Sequence, residues 1–229
     1  MALPTGDEKV RAVRTMFDTI APRYDLVNRI MTFGLDRLWR HQAVAALDLG
    51  PGSVVGDLAC GTGDLCLSLA GVGHLPIGVD LSLGMLQHTR SDAPLAQGDA
   101  TNLPLRDSSL DGVISGFALR NFVSLPPVFA ELYRVVRSGG KISLLDVATP
   151  ANPVLRTGHA VYFGHVAPRI GGLLSDGPAY RYLPKSVAYL PPGDGMLDML
   201  SDAGFGAVRR RYLSGGITQL ITATKKVLP

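Results

Sequence analysis

The stretch that most constrains the fold of this chain is residues 54–65, which read Val-Val-Gly-Asp-Leu-Ala-Cys-Gly-Thr-Gly-Asp-Leu. A short apolar run leads into a turn in which Gly61 and Gly63 flank Thr62, and a helix pattern follows. Glycine tolerates positive φ and lets a ligand approach the backbone. The free N–H groups of the following helix start would face that ligand. The stretch therefore predicts an α/β fold with a nucleotide-like site, and an ordinary strand-to-helix turn is the alternative.

Length and charge limit the class of protein. The chain has 229 residues, 46% of them hydrophobic, which is enough for one domain with a large core. The net charge of +3 is mild, whereas a nucleic-acid binder normally carries a dense basic face, so we expect no nucleic-acid partner. The run Arg209-Arg210-Arg211 is read as a solvated strand edge, with contact to anionic lipid head groups as the alternative.

Cysteine content and hydropathy predict a cytoplasmic protein. Cys60 and Cys66 are the two cysteines, and their C-x5-C spacing fits no familiar zinc or redox motif, so we expect reduced thiols and no metal. The first residues are polar and lack the apolar core of a signal peptide. The sequence also has no run of about 18 uncharged apolar residues, so it predicts no membrane-spanning helix.

Alternating strand and helix patterns predict a doubly wound, mostly parallel sheet. The predicted strands are 53–58, 76–80, 94–98, 110–116 and 141–147. The helices between them are 63–70, 82–89 and 125–136, and Gly139-Gly140 is expected to stop the last one. Two alternating strands at 207–213 and 217–224 surround Gly215-Gly216 and predict a closing antiparallel hairpin.

Segments outside this alternation predict a cap and a cover for the sheet. We divide the single predicted domain, 1–229, into a helical cap at 8–50, a cofactor-binding core at 51–150, a substrate-cover insertion of helices and loops at 151–194, and a closing helix and strands at 195–229. Pro22 is expected to break or restart the helical cap. The residues up to Asp7 are predicted to be disordered.

Acidic residues follow the first strands at the sheet edge where ligands bind in such folds. Asp57 lies just before the glycine turn, and Asp80 ends the second strand. A carboxylate at that second position can accept both ribose hydroxyls, with helix capping as the alternative. Asp99, in Gly98-Asp99-Ala100, ends the third strand and can accept from an adenine amine.

The glycine turn favours a cationic cofactor over a dinucleotide. The dinucleotide fingerprint G-x-G-x-x-G requires a third glycine, but this chain has Cys66 there. Asp64 also puts negative charge where a pyrophosphate would lie. S-adenosylmethionine carries a sulfonium and an ammonium and no phosphate, so Asp57 and Asp64 are expected near its cationic end.

Six further segments match one family of enzymes in chain order. They lie at 17–28, 33–40, 118–121, 134–140, 168–171 and 180–187. With the D-x-x-x-G-x-G turn, they make nearly the whole chain resemble the ubiquinone/menaquinone biosynthesis C-methyltransferase family. The resemblance implies a Rossmann-like methyltransferase fold, S-adenosylmethionine as cofactor, and methylation of a ring carbon of a polyprenyl hydroquinone, for example demethylmenaquinol.

The chain departs from the family pattern at four positions. Ser138 replaces a proline, Gly116 a serine, Asp146 a glutamate, and Ile221 the histidine of a Leu-His pair. These departures leave the acceptor open between a naphthoquinol, a benzoquinol and a natural-product phenol. A non-catalytic cofactor-binding scaffold is a third reading, and the retained acidic and glycine residues count against it.

The resemblance and the strand order together assign candidate roles. The expected cofactor contacts are Asp57, Gly61, Thr62, Gly63, Asp80, Asp99, Ala100 and Gly116, the last through its backbone. Arg120 and Asn121 follow the fourth strand and are the candidate catalytic pair, because an arginine can stabilise a developing phenolate or activate a water. A structural arginine that satisfies loop carbonyls is the alternative. Tyr24, Tyr180 and Tyr182 are the candidate substrate contacts, and no general base is assigned.

The apolar substrate implies where the enzyme works. A polyprenyl chain resides in the membrane, so the cap and the insertion are expected to form an apolar tunnel and to contact the membrane surface transiently. We expect a cytoplasmic protein that is peripheral at the inner face of the cell membrane, and a homodimer is compatible with the sequence.

Overall fold

One mixed β-sheet organises the protein. The computed structural model describes residues 5–174, 182 and 186–227. Its strands are β1 (Val54–Leu58), β2 (Leu75–Asp80), β3 (Leu95–Gln97), β4 (Leu110–Gly116), β5 (Val136–Val147), β6 (Phe205–Leu213) and β7 (Thr218–Lys225). In the described part they follow the order β3-β2-β1-β4-β5-β7-β6. β1 to β5 are parallel, and β7 runs antiparallel to both β5 and β6, so the predicted doubly wound sheet with a closing hairpin is confirmed.

Helices cover both faces and the ligand-binding edge of the sheet. They are α1 (Gly6–Ile20), α2 (Tyr24–Met31), α3 (Leu35–Leu47), α4 (Asp64–Ala70), α5 (Leu83–Gln87), α6 (Leu125–Val135), α7 (Pro153–Val161), α8 (Ala167–Leu174) and α9 (Gly195–Asp202). A π-helical segment, Tyr162–Val166, joins α7 to α8. None of the described helices is long and apolar enough to cross a membrane.

Alternation along the central strands builds one core on each face. Successive side chains of a strand point to opposite faces. Val113 of β4 and Leu144 of β5 therefore pack under α6 and α9, whereas Ile114 and Leu145 pack under α3 and α4. Both faces are buried, which explains why these strands read as nearly continuous apolar runs.

A third apolar cluster holds the cap and the cover together. Pro22 ends the first cap helix in a 3₁₀ turn, Ala21–Arg23, as predicted, and α2 starts from that turn. Ile20, Val27 and Ala167 are buried in this cluster. The cap and the cover therefore pack against each other at the end of the sheet where β1, β2 and β4 finish.

The structure corrects two predicted boundaries. α6 ends at Val135 and β5 begins at the next residue, so Gly139-Gly140 lies inside the strand and does not terminate the helix. Gly139 has φ of +75°, and the β4–β5 register shifts between Leu110 and Gly112, so the glycines form an irregularity in the strand. At the other end of the chain, α1 already begins at Gly6, inside the stretch predicted to be disordered.

Candidate active site

The first of two adjoining cavities lies at the carboxyl ends of β1, β2 and β4. Its volume is about 310 Å³. Its floor is formed by strand-end and turn residues that include Gly61, Asp80, Asp99, Ala100, Gly116 and Asn121. α1 closes the opposite side with Val10, Val13 and Phe17. Five predicted cofactor contacts and one predicted catalytic residue thus line the same cavity.

Asp80 is fixed in this cavity by the glycine turn. Its Oδ2 accepts from the backbone N–H of Gly61 at 2.8 Å, and its Oδ1 accepts from that of Ser82 at 2.8 Å. Burial raises the pKa of Asp80 above its usual value. The turn depends on glycine, since Gly61 has φ of +57° and a Cβ built on it would project into open space. The cavity therefore offers an oriented carboxylate beside an open glycine backbone, which fits a ribose.

Asp99 offers a second carboxylate nearer the surface. Its Oδ1 accepts from the backbone N–H and the hydroxyl of Thr101, both at 2.8 Å. This arrangement orients the side chain at the cavity wall. The structure thus brings Asp80 and Asp99 to one cavity, as the order of the strands indicated.

Asp57, Thr62 and Gly63 lie outside the cavity lining. Asp57 is 0% exposed, and its Oδ2 accepts from the Cys66 thiol at 3.3 Å. Burial raises its pKa to about 7, and its Oδ1 has no partner among the described residues. The Thr62 hydroxyl donates to Asp25 Oδ1 at 2.7 Å, which ties the turn to α2. Direct contact of these three residues with the cofactor remains a prediction.

The prediction that Asp64 faces a cationic cofactor is wrong. Its carboxylate is paired with two arginines, Arg40 at 3.2 Å and Arg90. Arg40 is buried on α3 and also pairs with Asp36, whereas Arg90 follows α5. Asp64 therefore joins the cap to the sheet. Its cationic partners come from α3 and from the segment after α5, so the sequence around Asp64 gives no sign of them.

The second cavity is larger and lies under the cap and the cover. Its volume is about 350 Å³. The apolar part of its lining includes Met16, Ile20, Met31, Trp39, Val147, Phe163 and Ile217. Phe17, Tyr24 and Phe117 line both cavities and form a shared wall between them. A molecule in the second cavity would therefore lie next to one in the first.

The predicted catalytic pair sits on a 3₁₀ turn directly after β4 and faces both cavities. Arg120 lines the second cavity and Asn121 the first. Arg120 pairs with the fully buried Asp146, donates from Nε to Ser186 Oγ at 3.2 Å, and donates from Nη1 to the Phe117 carbonyl at 2.7 Å. Asn121 Oδ1 is buried without a hydrogen-bond partner in the described part of the chain. Arg120 thus makes the contacts expected of a structural arginine that satisfies loop carbonyls, and it also lines the second cavity.

The three tyrosines predicted to contact the substrate differ in their position relative to the two cavities. Tyr24 is in the shared wall, and burial raises its pKa even though Arg40 and Arg120 act in the opposite direction. Tyr182 does not line either cavity, and burial raises its pKa to about 12. Its hydroxyl has no partner among the described residues. Tyr180 lies outside the described residues.

Lys9 is a residue of this site that sequence reasoning missed. Its ammonium is buried and donates to the carbonyls of Arg120 at 3.1 Å and Phe122 at 2.6 Å. It also lies 3.4 Å from the ring centroid of Tyr189, and burial lowers its pKa to about 8. A lysine on an amphipathic helix is normally read as solvent-facing, so the local pattern gave no signal for this role.

His159 also lines the second cavity, whereas His165 does not. The His159 ring packs at a tilt of 40° against that of Phe163, with centroids 4.5 Å apart. Burial lowers the pKa of His159, so its imidazole is neutral at pH 7. Its imidazole can therefore accept a proton within the second cavity.

The fold and the paired cavities define a class of protein. A glycine turn without a third glycine leads to an oriented carboxylate on β2, and a second ligand space lies across one wall. This is the organisation of a Rossmann-like methyltransferase that uses S-adenosylmethionine. A solved SAM-dependent methyltransferase from Thermotoga maritima has the same fold, with a TM-score of 0.66 and 20% identity over 93% of this chain and 100% of that one.

Sequence comparison narrows the class to a family. The ubiE/COQ5 methyltransferase family matches residues 5–225. The ubiquinone/menaquinone biosynthesis C-methyltransferase UbiE of Syntrophotalea carbinolica is 41% identical over 93% of this chain and 94% of its own length. The demethylmenaquinone methyltransferase of Mycobacterium sp. (strain JLS) is 39% identical over 98% of this chain and 99% of its own. The chain belongs to the ubiE/COQ5 methyltransferase family.

Proposed function

We propose that this enzyme methylates a ring carbon of a polyprenyl hydroquinone, with demethylmenaquinol as the preferred acceptor. The observation that carries the proposal is the wall of Phe17, Tyr24 and Phe117 shared by the two cavities. A planar ring held against this wall would lie beside the cofactor cavity. The apolar lining of the second cavity suits a naphthoquinol ring and the start of its prenyl chain. The names of the relatives from Syntrophotalea and Mycobacterium support the same acceptor class.

The chain's own residues would hold the cofactor and align the acceptor. S-adenosylmethionine, when bound, supplies an electrophilic methyl group. Asp80 would accept the ribose hydroxyls and Asp99 the adenine amine, while the open backbone at Gly61 leaves room for the rest. Alignment of two bound partners can account for much of the rate enhancement, since positioning removes about 7–11 kcal/mol of a bimolecular barrier in favourable cases.

Two arginines would stabilise the hydroquinol oxyanion. Arg120 and Arg40 both line the second cavity, and their ion pairs with Asp146 and Asp36 fix their orientation. In a water-poor cavity a preorganised cation acts strongly on the charge that develops on the ring oxygen. The charge on oxygen then makes the neighbouring ring carbon nucleophilic. Once this carbon carries the methyl group, it releases its own hydrogen to solvent as a proton, which restores the aromatic ring. The hydroxyl proton goes to His159, whose neutral imidazole lines the same cavity.

An exposed apolar face supports contact with the membrane surface. Leu26, Ile30, Phe33 and Leu38, on α2, α3 and the turn between them, are 40–77% exposed. The Phe33 ring lies 5.7 Å from that of Tyr162, so the face continues onto the cover. Met31 of α2 and Phe163 of the cover line the second cavity. A prenyl chain could pass from the bilayer between these elements without crossing water. A homodimer remains a prediction.

A methyl-transfer assay tests the proposal. The purified enzyme is given S-adenosylmethionine with a demethylmenaquinol, a demethylated benzoquinol or a simple phenol, and the product is identified by mass spectrometry and the site of methylation by NMR. We expect a C-methylated naphthoquinol, with slower turnover of the benzoquinol. Turnover of phenols with no reaction on either quinol would favour a natural-product acceptor. Absence of cofactor binding and of all turnover would favour a scaffold.

A further inference from the structure

A third cavity lies on the outside of the cap and shares Arg40 with the second cavity. Its volume is about 310 Å³. It is enclosed by α2, α3, α4 and the segment after α5, and its lining consists of Arg29, Arg37, Arg40, His41, Asp64, Leu67, Ser68 and Arg90. Four of these eight residues are arginines and one is acidic. This concentration of cations exceeds what the mild net charge of +3 suggests for the whole chain.

The ion pairs in this cavity divide its arginines into two sets. Arg40 and Arg90 are committed to Asp64, one to each carboxylate oxygen. Arg29 and Arg37 have no acidic partner among the described residues. The Nε of Arg29 is shielded from solvent and has no hydrogen-bond partner in the described part. Buried N–H donors normally have an acceptor, so this donor can bind an anion that enters the cavity.

Arg29 and Arg37, the two arginines without an acidic partner among the described residues, lie next to exposed apolar residues of α2 and α3. Arg29 lies between Leu26 and Ile30 on one side of α2, and Arg37 precedes Leu38 on α3. Residues three apart share a helix face, so the Leu26 side chain neighbours that of Arg29 on α2. If this face enters a bilayer, both arginines are brought to the level of the lipid phosphates. An arginine presents its N–H donors in a fork that matches phosphate oxygens.

We infer that the cavity bounded by Arg29 and Arg37 binds the phosphate of an anionic phospholipid head group. The inference rests on the proposed membrane contact and names its lipid partner. Arg29 and Arg37 would each donate to the phosphate, while Asp64 stays neutralised by Arg40 and Arg90. This contact would fix the orientation of the cap so that the second cavity opens toward the bilayer.

Vesicle co-sedimentation of the full chain tests the inference. The probes are vesicles of phosphatidylcholine and vesicles of phosphatidylcholine with phosphatidylglycerol. We expect R29Q/R37Q to lose on the order of 25-fold in affinity for the anionic vesicles, about fivefold for each arginine. The control R209Q/R211Q removes the same charge from exposed positions on β6 and should keep its affinity. Equal losses in the two variants, or equal binding of the wild type to both vesicles, would overturn the inference.

Two further measurements separate this site from the other proposals. Inorganic phosphate is tested as a competitor and as a thermal stabiliser, because stabilisation by free phosphate without a preference for anionic vesicles would mean a soluble anion site. Turnover of a short-chain quinol in solution should be unchanged in R29Q/R37Q, which also shows that the variant is folded. Normal turnover with no vesicle preference in the wild type refutes the lipid site alone. Absent turnover in the wild type refutes the proposed reaction, whatever the vesicles show.

Discussion

The ammonium of Lys9 donates to the main-chain carbonyl of Arg120, 111 residues further along the chain. Asp146 holds the side chain of the same arginine. The turn after β4 is therefore fixed twice, through its backbone by the first helix and through its side chain by β5. Together these contacts help to fix the position in which Arg120 lines the second cavity.

Replacing Lys9 with methionine should destabilise the protein. The substitution keeps the length of the side chain but leaves the Arg120 and Phe122 carbonyls without their donor. An unsatisfied buried polar group costs about 1–3 kcal/mol. Urea unfolding should show a loss of this size in Lys9→Met and little change in Lys226→Met, which alters an exposed lysine. Equal stability of the two variants would show that Lys9 does not hold the turn.

Asp80→Ala should abolish measurable cofactor binding. The carboxylate lines the first cavity and its two oxygens are oriented by Gly61 and Ser82. Hydrogen bonds to a charged group contribute about 1.5–3 kcal/mol each, so two lost bonds predict a loss on the order of 100-fold or more. Calorimetric titration with S-adenosylmethionine measures this, with the exposed Asp92→Ala as control. Unchanged heats in Asp80→Ala would refute the ribose assignment.

Arg120→Lys should slow the reaction without weakening cofactor binding. Arg120 lines the second cavity and not the first, and lysine cannot reproduce the fork that holds Asp146 and Phe117. Loss of one preorganised donor typically lowers kcat by about 10²–10³. Arg137→Lys, at a half-exposed ion pair with Asp111, is the matched control. A normal kcat in Arg120→Lys would leave the arginine a structural role only.

The pH profile of kcat/KM should reveal His159. Charged groups that share its cavity are Arg40, Arg120, Arg156 and Asp36. Burial lowers the pKa of His159 below 6.5, so the neutral base persists to lower pH than a free imidazole would. Activity should rise with pH through that lowered pKa and then level off. His159→Gln should remove this acidic limb and lower the plateau; an unchanged limb would assign it to another group.

Leu26→Gln should weaken binding to lipid vesicles. Leu26 is 56% exposed on the apolar face of α2, and Leu75 is 57% exposed at the start of β2. The two substitutions remove equal apolar area, so a difference between them reports location. Full burial of a leucine contributes about 1.5–3 kcal/mol, and Leu26 is already partly buried, so we expect a decrease in affinity on the order of tenfold for Leu26→Gln and little for Leu75→Gln. Equal binding by both variants would contradict docking through the cap.

The sequence predicted what local patterns encode. The strands are apolar on both faces, the glycine turn is marked by Gly61 and Gly63, and Asp80 ends its strand, so the sheet and one wall of the first cavity could be found without a structure. The β5 boundary could not, because Val136 joins the strand through pairing with Leu110, and the Gly139-Gly140 pair also fits a helix stop.

Contacts between residues that are far apart in sequence could not be predicted either. Asp64 looked like a free acid beside a cofactor, but Arg40 on α3 and Arg90 in the segment after α5 pair with it. Lys9 looked like a surface lysine on an amphipathic helix. In both cases the partner lies far away in sequence, so only the packing of the cap against the sheet reveals what the charge does.

The wall that α1 contributes to the first cavity has a consequence for biosynthesis. The carbonyls that receive Lys9 are made more than a hundred residues after the helix that carries it. Until β4 and its turn have emerged, the first cavity lacks Gly116, Phe117 and Asn121 opposite α1. A cofactor pocket closed by α1 can therefore form only after the turn that follows β4 has been synthesised.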